Sequence, residues 1–184
     1  LAFRRPPILW PKASRLLIKR NTISSPRLMM ANTTAQQMYE AVTDRFDTTD
    51  VLIMAAAVAD YRPATVADDK IKKKEGDLSI PVERTEDILG TIGPRKTHQF
   101  LCGFSMETEH MLENSRKKLR KKNVDLIAAN NLKVEGAGFG TDTNVLTLIT
   151  EDGERELARM SKEEAADELL TELLIISKGR AKGQ

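Results

Sequence analysis

Val51-Leu52-Ile53-Met54-Ala55-Ala56-Ala57-Val58 is apolar at every position, and its reading decides the fold. A strand with one wet face alternates polar and apolar residues. An unbroken apolar run needs cover on both faces, the condition of a central strand in a parallel sheet. Gln99-Phe100-Leu101-Cys102-Gly103-Phe104 and Val124-Asp125-Leu126-Ile127-Ala128-Ala129 read the same way. Between them a helix is predicted from about Glu107 to Lys122, with its acids (Glu107, Glu109, Glu113) early and its bases (Arg116 to Lys122) late. That order complements the helix dipole and needs no function to explain it. Strand, helix and strand at this spacing make a crossover unit, so the expected class is α/β, a mostly parallel sheet flanked by helices.

Working outward, Thr34-Ala35-Gln36-Gln37 has capping-box spacing. Ala35, Met38, Val42 and Phe46 then recur at helical intervals, predicting a helix from Thr34 to Phe46. Toward the other end, Asn144 to Thr150, the turn pair Asp152-Gly153 and a short run to Met160 predict a C-terminal β-hairpin. Ser161-Lys162-Glu163-Glu164 is a second capping box. It opens a helix expected to turn Ala165, Leu169, Leu170, Leu173 and Leu174 inward.

The chain has 184 residues, enough for one domain with a real core. It is 40% hydrophobic and 30% charged, a globular balance, and no apolar run approaches the roughly 20 residues of a membrane-spanning helix. One cysteine, Cys102, excludes an intramolecular disulfide and fits a reducing compartment. Two histidines, His98 and His110, argue against a His-rich metal site. The net charge of +2 is unevenly spread: the first 39 residues hold seven Lys or Arg and no acid, and the remainder carries a net charge of −5. Residues 1–27 contain Pro6, Pro7, Pro11 and Pro26, which interrupt any amphipathic targeting helix, so this basic leader reads as extended. The start at Leu1 reads as a fragment, a processed form or a misplaced start. The expected layout is a leader over 1–27, a folded domain over 28–178 and a frayed tail over 179–184.

Ligands of parallel sheets bind beyond the carboxyl ends of the strands, which selects three places. At Met54-Ala55-Ala56-Ala57-Val58-Ala59-Asp60-Tyr61-Arg62-Pro63, small residues run into a charged loop. They either admit a ligand to the backbone beside Asp60, or pack a helix while Asp60 caps a turn. Lys70-Ile71-Lys72-Lys73-Lys74 is either a mobile basic loop over phosphates or a solvated charged turn. Gly103-Phe104 ends another strand; Phe104 either stacks on a base or belongs to the core, and Lys118 and Lys122 share one helix face nearby. Cys102 reads as a buried thiol rather than a nucleophile. Gly136-Ala137-Gly138-Phe139-Gly140-Thr141 lacks dinucleotide-fingerprint spacing, and no P-loop exists. The residues alone stop at an α/β domain with a site for an anionic small molecule.

At these residues the chain resembles the bacterial phosphopantothenate–cysteine ligase (phosphopantothenoylcysteine synthetase) family of coenzyme A biosynthesis. The matching pieces, in family order, are Thr34 to Met38, Ala55 to Pro63, Lys70 to Lys73, Asp87 to Leu89, Gly103-Phe104 with Glu107-Thr108, Lys118 to Lys122, and Phe139 to Asn144. The resemblance runs from about residue 22 to 176 and implies a Rossmann-like three-layer fold. It also implies CTP-dependent joining of 4′-phosphopantothenate to L-cysteine through an acyl-cytidylate, with Mg2+ on the triphosphate, in a cytoplasmic homodimer with no nucleic-acid or membrane partner. Carried over, Met54, Ala55 and Ala56 line the nucleotide by backbone approach. Asp60 lies near ribose, triphosphate or metal. Lys70 is the catalytic lid lysine, while Glu86, Asp87, Ile88, Leu89, Phe104, Lys118 and Lys122 complete the nucleotide pocket.

Residues 1–27 hold no counterpart of the family's Gly-Gly-Thr strand end or its Asn-x-Ser-Ser-Gly segment, which hold phosphate groups. A truncated or frame-shifted reading frame is one expectation. The flavin-dependent decarboxylase half that usually precedes this domain has no counterpart in the 184 residues. Glu86 stands where the family usually has proline, Ser105-Met106 where two alanines are common, and Asn131 where aspartate often follows Asn130. Two other readings are a non-catalytic remnant that keeps the fold and dimer contacts, and a nucleic-acid module resting on the basic leader. With 4% aromatic residues, the second has few stacking platforms.

Overall fold

The computed structural model describes residues 32–67, 69, 71, 79–107, 109–131 and 142–182. The expected leader therefore lies outside the described residues, as do Lys70 with most of its basic run and the glycine-rich segment 136–141.

Helix α1 (Ala35–Thr43) starts at Thr34, whose hydroxyl oxygen accepts the Gln37 N–H at 3.1 Å. The return bond of the expected box falls one residue early: Gln37 Oε1 accepts the N–H and the hydroxyl of Thr33, each at 2.8 Å. The α-helix ends at Thr43, and Phe46–Thr48 forms a 3₁₀ turn that buries Phe46. Strand β1 (Val51–Met54) is half the length its apolar run predicted. After Met54 the alanines leave the ladder, and the Val58 N–H turns back onto the Ala56 carbonyl at 3.1 Å, a three-residue turn.

A small antiparallel ribbon follows, β2 (Tyr61–Pro63) with β3 (Val82–Arg84). Helix α2 (Ile88–Ile92) leads to β4 (Phe100–Glu107), helix α3 (Met111–Lys121) and β5 (Leu126–Asn131). Glu107 therefore ends a strand rather than opening the helix, because β5 supplies ladder partners as far as Asn131. Then come β6 (Thr143–Asn144), β7 (Leu146–Ile149), β8 (Glu154–Glu156), β9 (Met160–Ser161) and α4 (Lys162–Lys182).

The main sheet has the order β1-β4-β5-β7-β8. β1, β4 and β5 are parallel, and the β7–β8 hairpin, closed by Thr150 N–H to Gly153 C=O at 2.8 Å, joins antiparallel as expected. Successive side chains on the central strands go to opposite faces, and each face is covered. Leu52, Leu101 and Ile127 pack with Val42, Phe46, Ile88, Ile92 and Leu119 of the α1–α3 layer. Cys102, Leu126, Ala128, Leu146 and Leu148 pack with Ala165, Leu169 and Leu173 of α4. This is the three-layer arrangement read from the sequence.

Two inward positions on α4 are corrected: Leu170 and Leu174 are exposed. Each lies about 100° around the helix from Leu169 or Leu173, beyond the one stripe that meets the sheet. The second capping box forms as expected, Glu164 N–H to Ser161 Oγ at 3.2 Å and Ser161 N–H to Glu164 Oε2 at 2.8 Å.

The amino ends of the parallel strands are clamped by Asp125. Its carboxylate accepts the Leu101 N–H and the Lys96 ammonium, each at 2.8 Å, and pairs with Arg180 of α4. Arg180 also lies 4.4 Å from the Phe100 ring centroid. Among the described residues no helix is long and apolar enough to cross a membrane.

Candidate functional site at the carboxyl ends of the strands

In register, Met54 pairs with Gly103, so β4 runs on for Phe104 to Glu107 beyond the last residue of β1. This leaves a step at the carboxyl end of the sheet, and the described ones among the predicted site residues lie on the elements around it, Lys70 being outside the described residues. Met54 is buried, Ala55 is exposed and Ala56 is half-buried. The loop after them is tied down by Thr85, whose N–H donates to the Asp60 carbonyl at 3.0 Å and whose hydroxyl donates to the Ala59 carbonyl. Asp60 is exposed at the end of that loop, and Glu86, next to the tie, is exposed too.

Asp87 caps α2, accepting the Gly90 N–H at 3.0 Å, and also accepts from the Lys122 ammonium at 3.0 Å. Burial pushes its carboxyl up. The Gly90 N–H and Lys122, with Lys121 farther off, outweigh that and hold it below its ordinary value. Ile88 is buried in the core and Leu89 half-buried, so Ile88 meets a ligand only through its backbone. Gly103 lets α2 lie close to the sheet, since a β-carbon there would sit 3.0 Å from Leu89 Cδ1. Lys118 donates to Glu107 at 2.6 Å.

The strand end divides these residues between two faces. Ser105 bonds Ser115 of α3 at 2.8 Å and Glu107 pairs with Lys118, so odd-numbered positions of β4 face α3. Phe104 and Met106 alternate to the α4 side, where they are 37% and 41% exposed. The α2–α3 side thus gathers Asp87, Leu89, Lys118 and Lys122. Phe104 lies on the opposite side, and only a ligand lying across the step reaches both.

One residue beside Phe104 was not singled out as a site residue. Asn130 pairs in register with Met106, is 7% exposed, and its Oδ1 has no hydrogen-bond partner among the described residues. A buried amide oxygen without a donor costs about 1–3 kcal/mol, and a ligand N–H or O–H would satisfy it. Its only sequence signal was its place at the end of a central apolar run. Cys102 is fully buried and desolvation raises its thiol pKa strongly, so it is no nucleophile. Among the described residues no cluster of three or more His, Cys, Asp or Glu is placed to hold a metal.

Comparison with known proteins shows the family and supports the fold. Residues 17–176 match the model of the DNA/pantothenate metabolism flavoprotein C-terminal domain. The coenzyme A biosynthesis bifunctional protein CoaBC of Bacillus subtilis is 47% identical over 145 residues, which is 78% of this chain and 36% of that protein. The CoaBC of Escherichia coli K12 is 39% identical over 145 residues, again 36% of its length. The chain thus spans about a third of the length of these relatives. The crystal structure of a CoaBC C-terminal domain superposes with a TM-score of 0.67 at 35% identity, covering 85% of this chain and 71% of that one. A Cab2 mutant in complex with phosphopantothenate-cysteine has a TM-score of 0.68 over 85% of this chain and 54% of its own, and at 16% identity it shows the fold alone. With the family model matching most of its length, the chain belongs to the DNA/pantothenate metabolism flavoprotein C-terminal domain family.

Proposed function

We propose that this chain carries the phosphopantothenate–cysteine ligase activity of coenzyme A biosynthesis, with CTP as the activating nucleotide. The observation that carries this reading is the step beyond Met54, where a pinned small-residue loop, Asp87, Lys118, Lys122 and Phe104 surround one strand end in a chain 47% identical to a CoaBC. The phosphopantothenate carboxylate attacks the α-phosphorus of CTP and pyrophosphate leaves. The amine of L-cysteine then attacks the acyl carbon, CMP leaves, and the nitrogen loses a proton as the amide forms.

In this reading the backbone of Met54, Ala55 and Ala56 admits the nucleotide, and Phe104 offers a ring face to it. Glu86 to Leu89, Lys118 and Lys122 line its other side. Lys70 neutralises phosphate charge as the acyl-cytidylate forms, the kind of electrostatic help that gains most where water is excluded. Asp60 is the exposed carboxylate that would take one position on magnesium. The triphosphate supplies most of the hard oxygens that ion needs, which suits a site with no acidic cluster. The setting is cytoplasmic and the assembly a homodimer. The exposed apolar side chains of the small ribbon and its flank, Tyr61, Ile80 and Val82, support a second copy, and equilibrium sedimentation reading a monomer at micromolar protein would contradict it.

Pyrophosphate release with CTP and phosphopantothenate, measured for the parent and Lys70→Ala, tests the chemistry. The expected outcome is turnover in the parent and its loss in the variant. Equal turnover removes Lys70 from the mechanism. A parent that binds CTP without turnover returns the chain to a non-catalytic member of the family.

A further inference from the structure

The two lysines of the proposed nucleotide pocket are paired in different ways. Lys122 is held by Asp87, whose side chain is 54% exposed and can be rehydrated when the pair opens. Lys118 is held by Glu107, whose side chain is only 15% exposed. Among the described residues, the second oxygen of Glu107 lies 3.4 Å from the Asn114 amide nitrogen. If a phosphate drew Lys118 away, a largely buried carboxylate would be left facing an amide, and stranding a buried charge costs far more than opening an exposed pair. Lys118 therefore stays on Glu107 when a ligand arrives.

An ammonium has three donors, and Glu107 takes one. What remains is a firmly held N–H donor whose charge is cancelled by its neighbour. Such a group suits a neutral acceptor, such as a base carbonyl or a sugar hydroxyl, and adds little attraction for a polyanion. We propose that Glu107 is a positioning residue that fixes Lys118 against the base or sugar of the nucleotide, leaving the triphosphate to Lys122. This inference rests on the reading of the groove as a CTP site.

Calorimetric titration of the parent, Lys118→Met and Glu107→Gln with cytidine and with magnesium CTP tests it. Lys118→Met leaves Glu107 without its partner, so the double variant Lys118→Met/Glu107→Gln, which strands no charge, is titrated beside it, and thermal melts check that all three fold. The expected result is that Lys118→Met weakens cytidine and CTP by the same factor, about tenfold for one charge-assisted hydrogen bond. Glu107→Gln weakens cytidine in the parent background and leaves it unchanged in the Lys118→Met background, a coupling that mere loosening of the fold would not produce. Loss for CTP alone places Lys118 on the phosphates and overturns the proposal. So does tighter CTP binding by Glu107→Gln, which would make the pair a gate, or unchanged binding in Lys118→Met. If Glu107→Gln does not fold, the Lys118→Met ratio decides. A folded parent that binds no CTP sinks the nucleotide reading itself and this assignment with it, whereas a parent that binds CTP with a discordant ratio overturns this assignment alone.

Discussion

The two ends of the parallel strands use the same chemistry, a carboxylate against a lysine, to opposite effect. At the amino ends, Asp125 is 5% exposed and Lys96 11%, and the carboxylate also accepts a backbone N–H and a guanidinium. At the carboxyl ends, Asp87 and Lys122 meet at a similar distance, but with side chains 54% and 27% exposed. Burial decides what such a pair is for. The lower pair is hard to open and welds α4 to β4 and β5. The upper one opens at little cost, as an exchangeable contact in the proposed ligand groove must.

The largest effect expected from breaking this contrast is at the lower end. Asp125→Ala strands Lys96 and unpairs the Leu101 N–H, so urea unfolding should show a loss of about 3–5 kcal/mol. A loss under about 1 kcal/mol would mean that this end is no clamp. Next comes Gly93→Ala. A β-carbon at Gly93 would overlap the Lys122 carbonyl oxygen, where α3 ends and Asn123 takes a positive φ of 50° while its amide bonds the Gly93 carbonyl at 2.9 Å. The expected cost is about 3 kcal/mol, since backbone rather than a flexible side chain has to give way.

Asp87→Asn should cost much less, about 0.5 kcal/mol at neutral pH, because asparagine also caps helices and the lost ion pair is half-exposed. Its pH dependence sharpens the point. The folded carboxyl lies below its ordinary value of 3.8, so the parent's advantage is complete above that value and is lost as pH falls through the lowered one. Melting both proteins between about pH 6 and pH 3 should show the two curves converging on the acid side. Smallest of all is Glu83→Ala on the exposed ribbon, where the Arg62 pair at 2.8 Å has both side chains about half exposed. A change within about 0.5 kcal/mol is expected in the same melts.

The sheet was legible because its central strands are apolar on both faces, a pattern that short local windows carry in full. Their ends were not. The alanines after Met54 look like more strand, yet the ladder to β4 stops there. Glu107 looks like the first acid of a helix, yet β5 keeps it in the sheet. Leu170 and Leu174 fit a wide apolar stripe, but the sheet face covers Ala165, Leu169, Leu173 and, in part, Ile176. The candidate site was proposed as a set of places, through the rule about strand ends and the family motifs. The partition of those residues between two faces of β4 follows from strand parity and could be set only once the register was known. The Asp125 clamp joins residues 24, 29 and 55 positions apart, a separation at which sequence pattern carries no signal. The orphaned oxygen of Asn130 is a property of its surroundings, not of its spacing.

The central claim is that a pyrimidine triphosphate lies across the step where β4 outruns β1. A crystal of this chain soaked in magnesium CTP tests it directly. The account predicts nucleotide density beyond Met54, between Phe104–Glu107 on one side and Asp87 on the other. Density elsewhere on the molecule, or a step closed off by the chain's own residues, would contradict it.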